Sequence, residues 1–310
     1  MPTISVVIPA YNAERTILET IASVQQQTFS DFELIVINDG STDRTLELLY
    51  NVQDERLKIF SYENGGLPVA RNRGISQANG EFIAFIDADD LWTPDKLELQ
   101  LAALQQHPEA GVAYSWTYFK YEEKEYSYAD ESSFFEGNVY ANLLVRNFLH
   151  NGSNPLIRKQ AIESIGLFDA NLKSCEDWDF YLRLAAKWNF VLIPKSQIIY
   201  RQSLSSMTSK VEVMEKYLLI VIGRAFQVAP TELQFLKKQS LSWVYKYAAQ
   251  QYLKYGGYQY KNLILATVKL AKAILIQPKI LLEEYTQGLI RRLVKSWIIL
   301  PFNSHAISQM

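Results

Sequence analysis

The four residues Asp87-Ala88-Asp89-Asp90 close the hydrophobic run Glu81-Phe82-Ile83-Ala84-Phe85-Ile86, so three carboxylates crowd the tip of an expected buried strand. Carboxylates a few ångströms apart raise one another's proton affinity, and all stay ionised at low cost only with a cation among them. A hard divalent ion that keeps part of its water shell and also grips a substrate phosphate suits such a cluster. The place suits it too, because ligands of open α/β sheets bind outside the carboxyl ends of the strands. The competing reading is a solvated strand-to-helix loop whose aspartates cap a helix opened by Thr93-Pro94; three acids directly behind a strand favour the metal site.

The elements that must hold this cluster alternate from the first residue. Ile4 to Ile8 is a β-branched strand stopped by Pro9, and Ile17, Leu18, Ile21 and Val24 recur at helical spacing between Glu14 and Gln26. Phe32 to Ile37 predicts a second strand, Leu57 to Tyr62 a third, and Gly65-Gly66 leads into a helix with Pro68 in its first turn. Strand and helix in alternation imply right-handed crossovers and an α/β fold with a mostly parallel central sheet flanked by helices. Farther on, Val112 to Tyr121 reads as a long strand, Asn151-Gly152-Ser153-Asn154-Pro155 as a loop, and Asp177 to Trp188 as an amphipathic helix. Phe190 to Ile193 and Ile198 to Tyr200 read as closing strands, and everything from about Val211 reads as helix. The expected organisation is an α/β domain over 1–210 and a helical region over 211–310.

Five stretches in order resemble the landmarks of the family-two inverting glycosyltransferases with the GT-A fold, a Rossmann-like architecture: Pro9-Ala10-Tyr11-Asn12, Asn38-Asp39-Gly40-Ser41-Thr42-Asp43, Gly65 through Ala70-Arg71-Asn72-Arg73-Gly74, Asp87-Ala88-Asp89-Asp90 and Glu176-Asp177-Trp178-Asp179. The match runs from residue 4 to about 205. It implies a nucleotide-diphosphate sugar donor, most simply UDP-linked, bordered by Pro9, Tyr11, Asp39, Arg71, Asp87 and Ala88. It implies a divalent cation, Mn2+ or Mg2+, on Asp89, with Asp90 either in support or capping a helix. It makes Asp177 the base that takes the acceptor's proton, with Glu176 and Asp179 in reserve and Trp178 helping to bury it. The same acids read without the resemblance are an N-terminal helix charge cluster. For Asp39 the resemblance favours base recognition, and Ser41 or Thr42 is expected to cap the next helix. For Arg71 a phosphate or base contact competes with a surface salt bridge. One departure stands out: Tyr200-Arg201-Gln202-Ser203 lacks the histidine that often follows the Tyr-Arg pair in relatives, leaving Arg201, Ser203 or water to serve. His150 is expected beside the acceptor.

The net charge of −2 hides an asymmetry, since from Leu233 onward eleven basic residues face two acidic ones, about +9 against −11 for the rest. Apolar residues alternate with Lys269, Lys272, Lys279, Arg291, Arg292 and Lys295 in this tail, a pattern open to contact with an anionic membrane or to packing within the chain or a homodimer. Nucleic acid is disfavoured because the charge is diluted through apolar helices. With one cysteine and no leader-like or membrane-spanning run, the expected location is cytoplasmic, with peripheral contact at the cytoplasmic membrane face. The acceptor implied is a glycan or lipid-linked glycan. The alternative function is a non-catalytic nucleotide-sugar-binding or scaffold protein of the same fold.

Overall fold

The computed structural model describes residues 1–121, 127–130, 133–202, 210–255 and 259–307. In chain order the elements are β1 (Ile4–Ala10), α1 (Ile17–Gln25), β2 (Phe32–Asp39), α2 (Thr45–Tyr50), β3 (Leu57–Tyr62), α3 (Leu67–Gln77), β4 (Phe82–Phe85), β5 (Leu91–Trp92) and α4 (Lys96–Gln106). They continue with β6 (Ala110–Tyr121), β7 (Ser127–Asp130), α5 (Tyr140–Val145), β8 (Leu156–Arg158), α6 (Lys159–Ile165), α7 (Glu176–Ala185) and β9 (Asn189–Gln202). The last helices are α8 (Val211–Val228), α9 (Lys237–Tyr255), α10 (Tyr260–Ile276) and α11 (Glu284–Ile307). Residues 1–143 and 147–203 form one compact unit; 144–146 and 204–310 form another.

The first unit is built on a sheet of order β3-β2-β1-β4-β8-β6-β9-β5, with β7 attached to β6. Strands β3, β2, β1 and β4 are parallel, and β1 and β2 are buried along their whole length, which is why their sequences run apolar without alternation. Beyond β4 the sheet turns mixed: β8 is antiparallel to both neighbours, whereas β6 and β9 pair in parallel. Helix α1 buries Ile17, Ile21 and Val24 against this core while Leu18 stays exposed. Each such aliphatic side chain contributes about 1.5–3 kcal/mol on burial.

Two boundaries differ from the sequence expectation for identifiable reasons. Pro9 does not stop β1 but pairs with Ile37 inside it. β4 ends its pairing with β1 at Val7, so Pro9 lies where β1 has a neighbour on one side only and its missing N–H costs nothing. The two expected closing strands are one long strand, β9, whose register against β6 slips between Ile193 and Ser196 and again before Ile198. Pro194 sits at that irregularity, a bulge that keeps the strand going while breaking its apolar pattern.

Candidate active site

The site is assembled at the carboxyl ends of β1, β2 and β4, where the strand order reverses around β1. Tyr11 follows β1 directly and is 54% exposed, an aromatic face left free to stack. Pro9 and Ala10 end the buried strand beneath it. Asn12 adopts a left-handed backbone (φ 50°) and sews the first loop to the second. Its N–H donates to Ser41 Oγ at 3.1 Å, and its Oδ1 accepts from the Thr42 N–H at 2.8 Å. The role expected of Ser41 or Thr42 at the start of α2 falls instead to Asp43, whose Oδ1 accepts from both the N–H and hydroxyl of Thr45.

Asp39 is buried at the end of β2. Its carboxylate accepts from the Gly65 N–H (3.0 Å), the Gly66 N–H (2.8 Å) and Arg73 Nη1 (2.6 Å). It thus orders the loop that opens α3, and three of its four or so acceptor sites are occupied by the protein itself.

Arg71 is the centre of the arrangement. It is fully buried on α3, not on the surface, and donates through Nη2 to Asp87 Oδ1 and through Nη1 to Glu176 Oε1, both at 2.7 Å. Burial disfavours its charge, and the carboxylates of Asp87 and Glu176 more than offset that. The guanidinium also lies over the Phe168 ring, which stacks on Phe180 of α7 at 3.9 Å. Asn72 exchanges hydrogen bonds with the backbone of Phe168, locking α3 to the segment before α7. One cation therefore joins two acidic motifs that are far apart in sequence.

The three aspartates behind β4 have separate fates. Asp87 faces Arg71, and its N–H donates to Ser153 Oγ at 2.9 Å. Ala88 is nearly buried, and its carbonyl accepts from Thr20 Oγ1. Asp90 turns inward, away from capping any helix, and accepts from the Ser153 hydroxyl and the Arg201 N–H. Its proton affinity is raised by burial first, then by Asp89 and Asp87. Asp89 alone is exposed. Arg201, nine-tenths buried, binds the Asp89 carbonyl and the Glu19 carboxylate; Ser203 lies outside the described residues.

Among the described residues no three or more His, Cys, Asp or Glu side chains converge as a ready-made metal cage. The donor set still fits a Mn2+ or Mg2+ ion of the kind that uses one or two carboxylates and takes its remaining ligands from phosphate and water, with Asp89 outward-facing.

On the other side, Glu176, Asp177 and Asp179 occupy the first turn of α7, led in by Cys175 in a left-handed conformation (φ 60°). Such backbone in a non-glycine residue costs about 1–3 kcal/mol and clusters at functional sites. Asp177 accepts from the Trp178 N–H at 2.7 Å and lies 3.4 Å from the Asn147 amide. Burial, then the neighbouring Glu176, pushes the Asp177 carboxyl up to about 7, with Arg71 acting in the opposite sense. The Trp178 indole points to the Leu143 carbonyl, so its backbone is what touches Asp177. Asp179 pairs with Arg183 one turn on, which takes it out of the acid cluster.

The Asn151-Gly152-Ser153-Asn154 loop was legible as a loop next to a histidine expected beside the acceptor, but not as the segment that links Asp87, Asp90 and Arg71. Tyr181 of α7 donates to the Asn151 carbonyl, Ser153 links Asp87 to Asp90, and Asn154 binds the backbone of Ser115. A Cβ on Gly152 would fall 2.1 Å from Arg71 Nη2, so only glycine lets the guanidinium sit where it does. Uncharged polar residues and a glycine held between Leu149 and Leu156 were the available signal. His150 places its ring edge-on to Phe119 in this loop, 5.2 Å between centroids.

The family model described as "Glycosyltransferase like family 2" matches residues 5–252, well over half of the chain. The chain belongs to glycosyltransferase family 2. An uncharacterized glycosyltransferase of Rickettsia felis is 36% identical over 192 residues, 59% of this chain but only 30% of the relative's length. One of Rickettsia typhi is 30% identical over 223 residues, 69% of this chain and 70% of the relative. The UDP-Glc:alpha-D-GlcNAc-diphosphoundecaprenol beta-1,3-glucosyltransferase WfgD of Escherichia coli is 41% identical over 102 residues, 33% of this chain and 40% of that protein. The fold is that of S. aureus TarS 1-349, solved in complex with UDP-GlcNAc (TM-score 0.64, 19% identity, 98% of this chain and 92% of that one). It is equally that of the mannosyltransferase PcManGT from Pyrobaculum calidifontis in complex with GDP-Man and Mn2+ (TM-score 0.62, 17% identity, 97% and 88%). As a family 2 glycosyltransferase fold of the GT-A kind, the sheet is mixed, and the family landmarks on β1, β2, α3, β4 and α7 all lie in its first unit.

Proposed function

We propose that this family 2 member is an inverting glycosyltransferase that moves a sugar from a UDP-sugar to a hydroxyl of a glycan or lipid-linked glycan. The observation that carries the reading is the Arg71 bridge. By holding Asp87 and Glu176 on one guanidinium, it draws the acids behind β4 and those opening α7 together around one cation, which supports a single site served by both. A donor bound beside Asp87 then has its anomeric carbon within the field of Asp177.

In this reading Tyr11 offers a face to the base or ribose and Asp39 fixes the loop beside it. Asp89 would hold a divalent cation, which as a Lewis acid would supply charge neutralisation for the departing diphosphate. Asp177, held near neutrality by burial and Glu176, accepts the proton of the acceptor hydroxyl. The hydroxyl oxygen forms its bond to the anomeric carbon as the bond to the nucleoside diphosphate breaks, the leaving group keeps the electron pair, and configuration inverts. A base titrating near 7 is close to the optimum for proton transfer at physiological pH. The UDP-sugar and lipid-diphosphate substrates in the name of WfgD, and the UDP-GlcNAc complex of TarS, support the choice of donor and acceptor class.

Asp177→Asn tests it. The variant is expected to keep the thermal stabilisation given by the UDP-sugar while losing about 10²–10⁴-fold in transfer rate. Equal transfer by Asp177→Asn and the parent would remove the base and the mechanism with it.

A further inference from the structure

The second unit presents an apolar strip that its own packing does not use. Helix α10 buries Leu263, Ala266, Leu270 and Ala273 in the core of this unit, and α11 adds Leu289 and Leu293. That accounts for one face of each helix. On α10 a second apolar row, Tyr260, Ile264, Val268 and Leu275, follows helical spacing and is exposed. On α11 the residues Val294, Trp297 and Ile298 are exposed as well. The two rows meet: the Trp297 indole donates to Thr267 Oγ1 at 3.0 Å, and its ring lies 6.4 Å from that of Tyr260.

Cations edge this strip on both sides. Lys261, which also reaches Glu212 of α8 at 3.5 Å, and Lys272 flank the row on α10; Arg291 and Lys295 flank the one on α11. α10 contains no acidic residue, and the only one in α11 is Glu284 at its start, the end remote from Trp297. We propose that this face lies on an anionic membrane surface, apolar row inward and cations at the headgroups. Tryptophan and tyrosine between an apolar row and basic side chains is the composition that settles at a lipid interface, and lysine and arginine reach the phosphates while their stems cover apolar surface. A second copy of the chain fits poorly, because two such faces would bring like charges together. A polyanion such as nucleic acid leaves the apolar row unanswered. No helix among the described residues is long and apolar enough to cross a membrane, so contact would be in the interface plane. The inference rests on this unit alone and stands whether or not the transferase reading does.

Flotation of the full chain decides it, with vesicles of phosphatidylcholine and of an equimolar phosphatidylcholine–phosphatidylglycerol mixture at low salt. The chain is expected to float with the anionic vesicles only and to be released by added salt. The double variant Arg291→Glu/Lys295→Glu should weaken partitioning by about 30-fold, and Ile264→Ser/Val268→Ser by about 10-fold, with thermal midpoints retained since all four positions are exposed. Absence of flotation at low salt, equal flotation of both variants and parent, or a concentration-dependent dimer abolished by Ile264→Ser/Val268→Ser without lipid binding would each overturn the proposal.

Discussion

Carboxylates sit at both ends of the parallel strands, and the surroundings of Glu33 at one end are opposite in effect to those of Asp90 and Asp177 at the other. Near the amino end of β2, Glu33 is met by the Ser5 hydroxyl, the Lys58 ammonium and the Asn79 N–H, each at 2.7 Å. Burial works against its charge, yet these donors outweigh burial and bring its carboxyl down to about 2. At the carboxyl ends, Asp90 is buried and Asp177 half-buried beside other acids, and both are pushed up, Asp177 to about 7. One end spends its donors on holding the sheet together. The other supplies Asp39 with three donors but crowds Asp90 and Asp177 against fellow acids, which is where proton and cation chemistry becomes available.

The sharpest way to break this contrast is through Arg71, the buried cation that joins Asp87 to Glu176 at the acid-rich end. Removing one partner of a buried ion pair costs about 3–5 kcal/mol, and Arg71→Met would strand Asp87 and Glu176 together. The expected result is a protein destabilised by about that amount in chemical denaturation. Gly152→Ala asks the same question with less damage, because the new methyl, 2.1 Å from Nη2 and 2.8 Å from Cζ, pushes the guanidinium aside without removing its charge. It should cost about 10²-fold in transfer rate, as catalytic groups shifted by an ångström do, while leaving the fold intact. Full activity in Gly152→Ala would mean that the guanidinium position does not matter to the reaction.

What could be read from the sequence divides along the same line. The parallel half of the sheet was legible because buried strands are continuous apolar runs, and the landmark residues were legible because their types and order are unusual. The Arg71 bridge was not. Nothing in the spacing of residues 71, 87 and 176 says that they meet, and burial of Arg71 depends on a missing side chain at position 152, supplied by another part of the chain. The single long β9 was hidden for a different reason: Pro194 and the polar residues at its bulge imitate a loop.

At the donor-rich end, Glu33→Gln keeps the size of the side chain but removes the charge that Lys58 answers. Since Lys58 is half exposed and screened by water, the expected loss is about 1–3 kcal/mol at neutral pH. The sign follows from the lowered proton affinity: the parent holds this stability above the ordinary glutamate range and loses it as pH falls towards 2. Parent and Glu33→Gln should therefore converge in stability on acidification, and transfer activity at pH 7 should be unchanged. A gap that stays constant down to pH 2 would remove the charge from the account.

The smallest effect bears most directly on how the acid-rich end works. Asp177 is raised by burial first and by Glu176 second, so Glu176→Gln should lower it, and freeing Arg71 from one carboxylate acts in the same direction. The transfer rate of the parent is expected to rise with pH through about 7 as the base loses its proton. In Glu176→Gln that limb should move about one pH unit towards acid. Stability carries the matching signature. A carboxyl bound more tightly to its proton in the folded state stabilises the protein below the unfolded value near about 4 and loses that contribution as pH rises through about 7. Asp177→Asn should remove this loss, so its stability relative to the parent should grow across that window. An acid limb that stays in place in Glu176→Gln, or moves towards alkali, would show that the neighbouring charge is not what poises the base and would leave burial alone to do so.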